Sequence, residues 1–443
     1  MKSDDSNKNR MILGLENLKE YGDLDGKTAR KGDNLHRLFY YPAMMVPVTQ
    51  SQILEIVSNN LQEDAYAIDP FMGSGTSLMS CMEFGLNLYG QDINPLSVLL
   101  VKAKVYNTSI ESIRKGQKEL QATLSKDNLE TIDVGFNGID KWFPKRIQKD
   151  LSRLRRAIIS VSDDNVRSLF WIIMAEVIRI DSNDRTSTFK LHQRPNDEIS
   201  KRNVDIITDF FSSLERGIQD IETFVHKLDT KHFLVEQKYA KNVDIRWGNT
   251  VIGIHSRKKF DVLVSSPPYG DNQTTVTYGQ HSYLPLQWIP RSDLPEEISF
   301  DYLKTTQEID SRSLGGRANK HYIKEVLPYI TKKAPSLGRF LDEIPIEEKE
   351  KFLKTVSFIA DFEKSLQTIV GSMKEKAIYV WTIGNRFVNQ REVPNDQILI
   401  DLMNAYGIPL VFSAERSILN KKQAKRNRSS KTMEKEHILV FQK

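Results

Sequence analysis

Hydrophobic residues along this chain come in two textures. Short apolar runs fall at 65 to 68, at 86 to 90 and at 260 to 264, where Val262, Leu263 and Val264 follow one another without a polar break. Such a run suits a strand buried on both faces, as in a parallel sheet. Longer runs carry a helical period. "DLSRLRRAIISV" sets Leu151, Leu154 and Ile158 on one face, "NVRSLFWIIMAEVIRI" is apolar enough for a buried helix, and "VDIITDFFSSLERGIQDIETFVHKL" is a long amphipathic stretch. Near the end, "KAIYVWTIGNRFV" and "EHILVFQK" read as strands with the helix "NDQILIDLMNAYG" between them. The order predicts an α/β protein with a mostly parallel sheet and a terminal antiparallel hairpin. A largely helical insertion spans 107 to 240, its apolar residues reading as a core-packing bundle.

Two of the strand ends carry unusual turns. In "DAYAIDPFMGSGTSLMSCMEFGLNLYGQDINP", residues 64 to 95, a strand runs into a Gly-rich turn and a helix from 76 to 84 that Gly85 caps. A second strand then delivers Asp92. This βαβ arrangement, with an acid roughly 20 positions after the turn, seats a nucleoside-bearing cofactor and holds its ribose hydroxyls. Thr76, Ser77 and Leu78 follow "GSG", so the third glycine of a dinucleotide site is missing and the cofactor is expected to lack a pyrophosphate. No Gly-Lys-Ser/Thr makes it a phosphate-cradling loop. The other turn is "VLVSSPPYGDN", residues 262 to 272, where the strand stops on two serines and two prolines. Proline ends strands because it lacks a backbone donor, and on structural grounds alone Tyr269 is a loop aromatic packed on the sheet edge.

Composition narrows the setting. A chain of 443 residues, 39% of them hydrophobic, can bury a real core in two or three units. Its 63 Lys and Arg exceed 58 Asp and Glu by a formal charge of only +5, so a nucleic-acid surface must come from local clustering. Cys81 is the one cysteine, which excludes an internal disulfide and a cysteine-built zinc site and fits a reducing compartment. No metal site is expected. The polar start lacks the apolar core of a signal peptide, and no apolar run approaches the roughly 20 residues of a membrane helix. A soluble cytoplasmic protein is expected.

"DPFMGSGT" taken with "SPPY" resembles the S-adenosylmethionine-dependent amino-methyltransferases of DNA, and "SPPY" resembles their cytosine-N4 branch. Three further stretches are similar to blocks of that family: "HRLFYYPAMMVP" at 36 to 47, "IRWGNT" at 245 to 250, and "SPPYGDNQTTVTYGQHSYLPLQW" with "DSRSLGG". The resemblance implies a Rossmann-like methyltransferase fold. It implies that Asp69, Phe71, Gly73, Gly75 and Thr76 surround the methionine and ribose parts of S-adenosylmethionine, and that Asp92 holds the ribose hydroxyls. Asn249 would line the adenine, although a loop amide capping its own turn explains it equally well. Tyr41, Pro42 and Ala43 enter as cofactor contacts by the resemblance alone.

The chemistry asks for these residue types at the second turn. An exocyclic base amine is a poor nucleophile because its lone pair is delocalised into the ring. Acceptors that hold its hydrogens expose that pair, and the Ser266 hydroxyl and the Pro267 carbonyl, its direction fixed by the Pro267–Pro268 pair, can both accept. A base taken out of the duplex needs an aromatic face, the role assigned to Tyr269. In the resembling adenine-N6 branch an Asp or Asn usually stands where Ser266 stands, so cytosine is favoured. Adenine-N6 or RNA amine methylation, or an inactive cofactor-binding subunit, remain the alternatives. Cytosine-C5 chemistry needs a thiolate nucleophile, and Cys81 lies inside the helix after the cofactor loop.

Cations cluster in places that can meet phosphates. "DSNDRTSTFKLHQRP", residues 181 to 195, reads as a loop or short hairpin carrying Arg185, Lys190, His192 and Arg194. The region 289 to 350 carries Arg312, Arg317 and Lys320. "KKQAKRNRSSK" packs six cations into 421 to 431, Lys421, Lys422, Lys425, Arg426 and Arg428 among them. The expected division is therefore 1–106 with the cofactor loop, 107–240 as the helical insertion and 241–288 with the catalytic turn. An irregular 289–360 follows, then 361–443 with the C-terminal strands and the basic loop, and either 107–240 or 289–360 recognises the target. The expected partner is double-stranded DNA. "PNDEISK" reads as a polar helix start and not a nuclease site, so a cognate restriction endonuclease would be a separate protein.

Overall fold

The computed structural model describes residues 2–105, 108–316, 320–419 and 433–443. Seven strands form one sheet: β1 Tyr66–Asp69, β2 Asn87–Asp92, β3 Val243–Trp247, β4 Phe260–Ser265, β5 Met373–Ile383, β6 Leu410–Ser417 and β7 Lys435–Gln442. Their order across the sheet is β3-β2-β1-β4-β5-β7-β6. β7 runs antiparallel to both β5 and β6, and every other pairing is parallel. This is the expected Rossmann-like layout, with the C-terminal hairpin formed by β6 and β7.

The strands are buried on both faces because successive side chains point to opposite sides. Val262 and Val264 join one apolar cluster while Phe260 and Leu263 join the other, and β1 divides in the same way between Ala67 and Ile68. Helices α1 Pro47–Ser58, α2 Thr76–Met82, α3 Pro95–Val105, α4 Asp164–Asp181, α5 Ile206–Thr230 and α6 Tyr278–Trp288 supply the first cluster. Helices α7 Leu353–Ser372 and α8 Asn395–Ala405 supply the second.

The helical insertion has no core separate from the sheet's. Phe170, Trp171 and Ile173 of α4 belong to the same cluster as Leu99 and Val101 of α3. The predicted amphipathic face is present, with Leu151, Leu154 and Ile158 fully buried. Asp163 caps α4 by accepting from the Asn165 and Val166 N–H groups at 2.9 and 3.1 Å. The strand "LVFSAERS", β6, was not expected. It alternates buried Phe412, Ala414 and Arg416 with exposed Ser413, Glu415 and Ser417, a one-sided edge pattern that its polar residues disguise. Among the described residues no helix is long and apolar enough to cross a membrane, and no group of acids, histidines or cysteines is placed to hold a metal.

Leu263 is fully buried in β4, which pairs with β1 and β5 in the middle of the sheet. Leu263→Ala should cost about 2–5 kcal/mol of stability, read as a lowered urea midpoint at unchanged slope.

Candidate active site

Strand order reverses between β1 and β4, so the loops leaving their carboxyl ends diverge and open a crevice. A cavity sits there. Of the expected cofactor residues, Tyr41, Pro42, Ala43, Phe71, Gly73, Asp92 and Asn249 line it. Of the expected catalytic residues, Ser266 and Pro268 line it. Two turns that stand far apart in the chain thus share one wall.

The Gly-rich turn is held on both sides. Gly73 has a φ of +47°, its N–H donates to Asp92 Oδ2 at 2.9 Å, and its carbonyl accepts from Ser97 Oγ at 2.6 Å. Asp92 Oδ1 accepts from the Asn94 N–H at 2.8 Å. Burial raises the Asp92 carboxyl above its ordinary range. Ser97 and the Ile93 N–H also lie within hydrogen-bonding reach of this carboxylate, which faces the cavity as an acceptor. Together with the apolar Phe71 and Ile93 walls, this donor and acceptor set fits a nucleoside-bearing cofactor.

Asp69, Gly75 and Thr76 do not line the cavity. Asp69 is fully buried, and its carboxylate accepts from Ser265 Oγ at 2.7 Å, from the Phe71 N–H at 3.1 Å and from Ser77 Oγ. Burial pushes it up to about 6. It ties together β1, α2 and β4 behind the site. Gly75, at φ +77°, begins α2 where a side chain would meet Val101 Cγ2 at 2.9 Å. Thr76 Oγ1 lies 2.8 Å from His36 Nε2 and 2.9 Å from Ser74 Oγ. Under the same turn lies Lys104, 1% exposed, whose Nζ donates to the Ser74 carbonyl at 2.9 Å. No carboxylate pairs with it among the described residues, and burial brings it down to about 7.

The double serine divides its work. Ser265 bonds Asp69, and Ser266, next along the strand end, faces the cavity. Pro267 is buried, and Tyr269 stands beside the cavity without lining it. The Tyr269 hydroxyl is 3.1 Å from Ser266 Oγ and donates to Glu436 Oε1 at 3.0 Å, while Glu436 pairs with Arg416 at 2.8 Å. Burial and the nearby Glu436 push the phenol well above its usual range, so it keeps its proton. Asn249 both lines the cavity and caps its own turn, its Oδ1 accepting from the Val251 N–H at 3.0 Å.

Four cavity or near-cavity residues were missed in the sequence. Tyr278 stacks on Tyr41 with ring centroids 5.6 Å apart, and Asn94 donates to the Tyr41 hydroxyl at 3.1 Å. Asn272, 4% exposed, lines the cavity and has an Oδ1 without a hydrogen-bond partner among the described residues. Its amide bonds Asp310, which also accepts from the Gly279 N–H at 2.8 Å. The fourth is Glu436. Asn272 lies three positions after Tyr269 in a quoted motif and was legible as a candidate, whereas nothing in the local sequence marks Glu436.

The cation-bearing loop at 181 to 195 meets the mouth of this site. An isolated bridge joins Asp184 to Gln193, Phe189 stacks on Tyr40 at 6.5 Å and 16°, and the Phe189 carbonyl accepts from Thr277 Oγ1 at 3.0 Å. Tyr40 and Thr277 are the chain neighbours of Tyr41 and Tyr278 in the cavity wall. Arg185, Lys190 and His192 are exposed, and Arg194 is half-buried, 3.9 Å from Glu198. Arg312 and Lys320 are engaged by Glu308 and Glu350, each at 2.6 Å. Arg317, Lys421, Lys422, Lys425, Arg426 and Arg428 lie outside the described residues.

The chain is 28% identical over 423 residues to the Type II methyltransferase M.MvaI of Kocuria varians, an alignment covering 92% of this chain and 90% of that protein. It is 34% identical over 117 residues to the Type II methyltransferase M.MjaII of Methanocaldococcus jannaschii, covering 26% of this chain and 21% of that protein. No protein-family model and no solved structure matches it.

Lys104 gives the turn a pH dependence. Its folded value of about 7 lies below the unfolded lysine value of about 10.4, so between them the unfolded chain binds the extra proton. Its contribution to stability therefore grows as pH rises through that window and is lost as pH falls toward 7. Urea midpoints at about pH 7 and pH 9 should rise less in Lys104→Met than in the parent chain, by up to about 1.4 kcal/mol per pH unit.

Proposed function

We propose, from the chain's similarity to two Type II methyltransferases, that it is a DNA methyltransferase with S-adenosylmethionine as methyl donor and that its acceptor is the exocyclic N4 amine of a cytosine flipped out of duplex DNA. On this reading it acts at a specific sequence, in the cytoplasm, as the modification half of a restriction system whose endonuclease is a separate protein. The observation that carries the reading is Ser266, a hydroxyl acceptor on the wall of the same cavity as Gly73 and Asp92.

The cofactor supplies an electrophilic methyl group on a sulfonium. Asp92 holds its ribose hydroxyls, and the Gly73 backbone, free of a side chain, lets it approach closely. The residues at the second turn act on the base. Ser266 Oγ and the Pro267 carbonyl take the hydrogens of the amine, which returns lone-pair density to the nitrogen. The buried Tyr41 and Leu314 and the half-buried Tyr278 line the cavity and keep water from the reacting pair. Tyr269 stacks on the base once it has left the duplex. Serine in place of the acid or amide of the adenine-N6 branch supports cytosine. Arg185 and Lys190, exposed on a loop anchored at the cavity mouth, support contact with the DNA backbone beside the flipped base.

Nucleoside mass spectrometry of plasmid DNA incubated with the protein and S-adenosylmethionine should find N4-methylcytosine. N6-methyladenine would move the target to the adenine branch, and no methylated base would overturn the reading. Ser266→Ala should lose at least about 100-fold in turnover while still binding the cofactor. Asp92→Ala should weaken cofactor binding by about tenfold or more in calorimetry, as expected for lost hydrogen bonds to a charged group. Replacing Arg185 and Lys190 together with Glu should weaken binding to all duplex sequences alike and reduce the salt slope by about 2.

A further inference from the structure

Counting hydrogens along one chain of side chains determines what Ser266 can offer a base. Arg416 of β6 and Glu436 of β7 stand directly opposite each other in register, with Arg416 Nε donating to Glu436 Oε2 at 2.8 Å. A glutamate paired in this way is a carboxylate and can only accept. The Tyr269 hydroxyl therefore gives its single hydrogen to Glu436 Oε1, at 3.0 Å. That leaves the Tyr269 oxygen as the acceptor in its 3.1 Å contact with Ser266 Oγ, so Ser266 is the donor there. Its only hydrogen is spent, and what remains toward the cavity is lone pairs.

The tyrosine is held in place for this. Asn395 Nδ2 donates to the Tyr269 carbonyl at 3.0 Å, and a side chain at Gly384 would come within 2.8 Å of Tyr269 Cδ2. The ring thus passes close over Gly384 with its hydroxyl on Glu436.

We propose that Glu436, paired with Arg416, is a positioning residue that acts through Tyr269 to hold Ser266 as an acceptor toward the cavity. The inference rests on the proposed amine methylation and deepens it. A hydroxyl free to rotate can donate to the carbonyl oxygen of thymine or guanine as readily as it accepts from an amine. A hydroxyl whose hydrogen is committed favours the amine of cytosine or adenine and meets a carbonyl oxygen with repulsion.

Steady-state kinetics on Glu436→Gln, Tyr269→Phe and the double variant test this, with the product base identified for each. Each single change should lower kcat by roughly 10- to 100-fold, the scale of a mispositioned reacting group. KM for S-adenosylmethionine and Kd for duplex DNA should stay within about twofold, and the double variant should be no worse than the worse single, as for residues that act as one unit. Losses that multiply in the double variant, or Tyr269→Phe turning over like the parent, would overturn the chain. Glu436→Gln strips Arg416 of its charge partner and is open to misfolding. Tyr269→Phe leaves that pair intact and decides alone in that case. An active parent that methylates adenine would sink the cytosine reading while the ratios still judge the hydrogen-bond chain; an inactive parent overturns both.

Discussion

Asp69 ends β1 fully buried, with Ser265, Ser77 and the Phe71 N–H as its donors. An ionised carboxylate taken out of water costs several kcal/mol even after the protein relaxes, and each hydrogen bond to a charged group returns about 1.5–3 kcal/mol. The burial is tolerable only while donors from the turn, from α2 and from β4 converge on it. That demand clamps the Gly-rich turn to the strand that carries the second turn. Both walls of the cavity are registered against each other through one side chain that does not itself reach the cavity.

The period of a β-strand then sorts the two serines. Ser265 and Ser266 are adjacent, so one points back to Asp69 while the other points into the cavity. A register slip of a single residue would exchange them, exposing the donor that satisfies the carboxylate and burying the acceptor that faces the site. The pairings Ala67 with Val262 and Ile68 with Leu263 prevent that slip, because the two apolar clusters on either side of the sheet need those residues where they are. Packing of the core and placement of the chemistry are therefore the same constraint.

The long connection from β2 to β3 serves both ends of this arrangement. Its helices α4 and α5 complete the apolar cluster on one face of the sheet, which is why they form no separate unit. Its polar excursion at 181 to 195 returns over the cavity mouth, anchored by Phe189 against Tyr40 and by Thr277. A loop held by ring stacking and backbone hydrogen bonds can present cations without relying on them for its own shape.

Much of this was legible along the chain, because strands, helices and tight turns are decided by residues a few positions apart. The apolar run at 260 to 264, the glycines at 73 and 75, the acid at 92 and the "SPPY" turn marked out two strand-end turns, and residues of both line one cavity. Edge strand β6 was not legible, since Ser413, Glu415 and Ser417 face solvent and hide its alternation. Nor was the assignment of Asp69, which reads as a ligand contact from its place beside the turn but is drawn inward by Ser265, a residue 196 positions away. Glu436 meets Tyr269 across 167 positions, and nothing in the local sequence marks it. The sequence by itself determined the elements and the kinds of chemistry at their ends. Only the tertiary structure decided which donors and acceptors meet, because hydrogen-bond direction depends on neighbours that chain separation does not reveal.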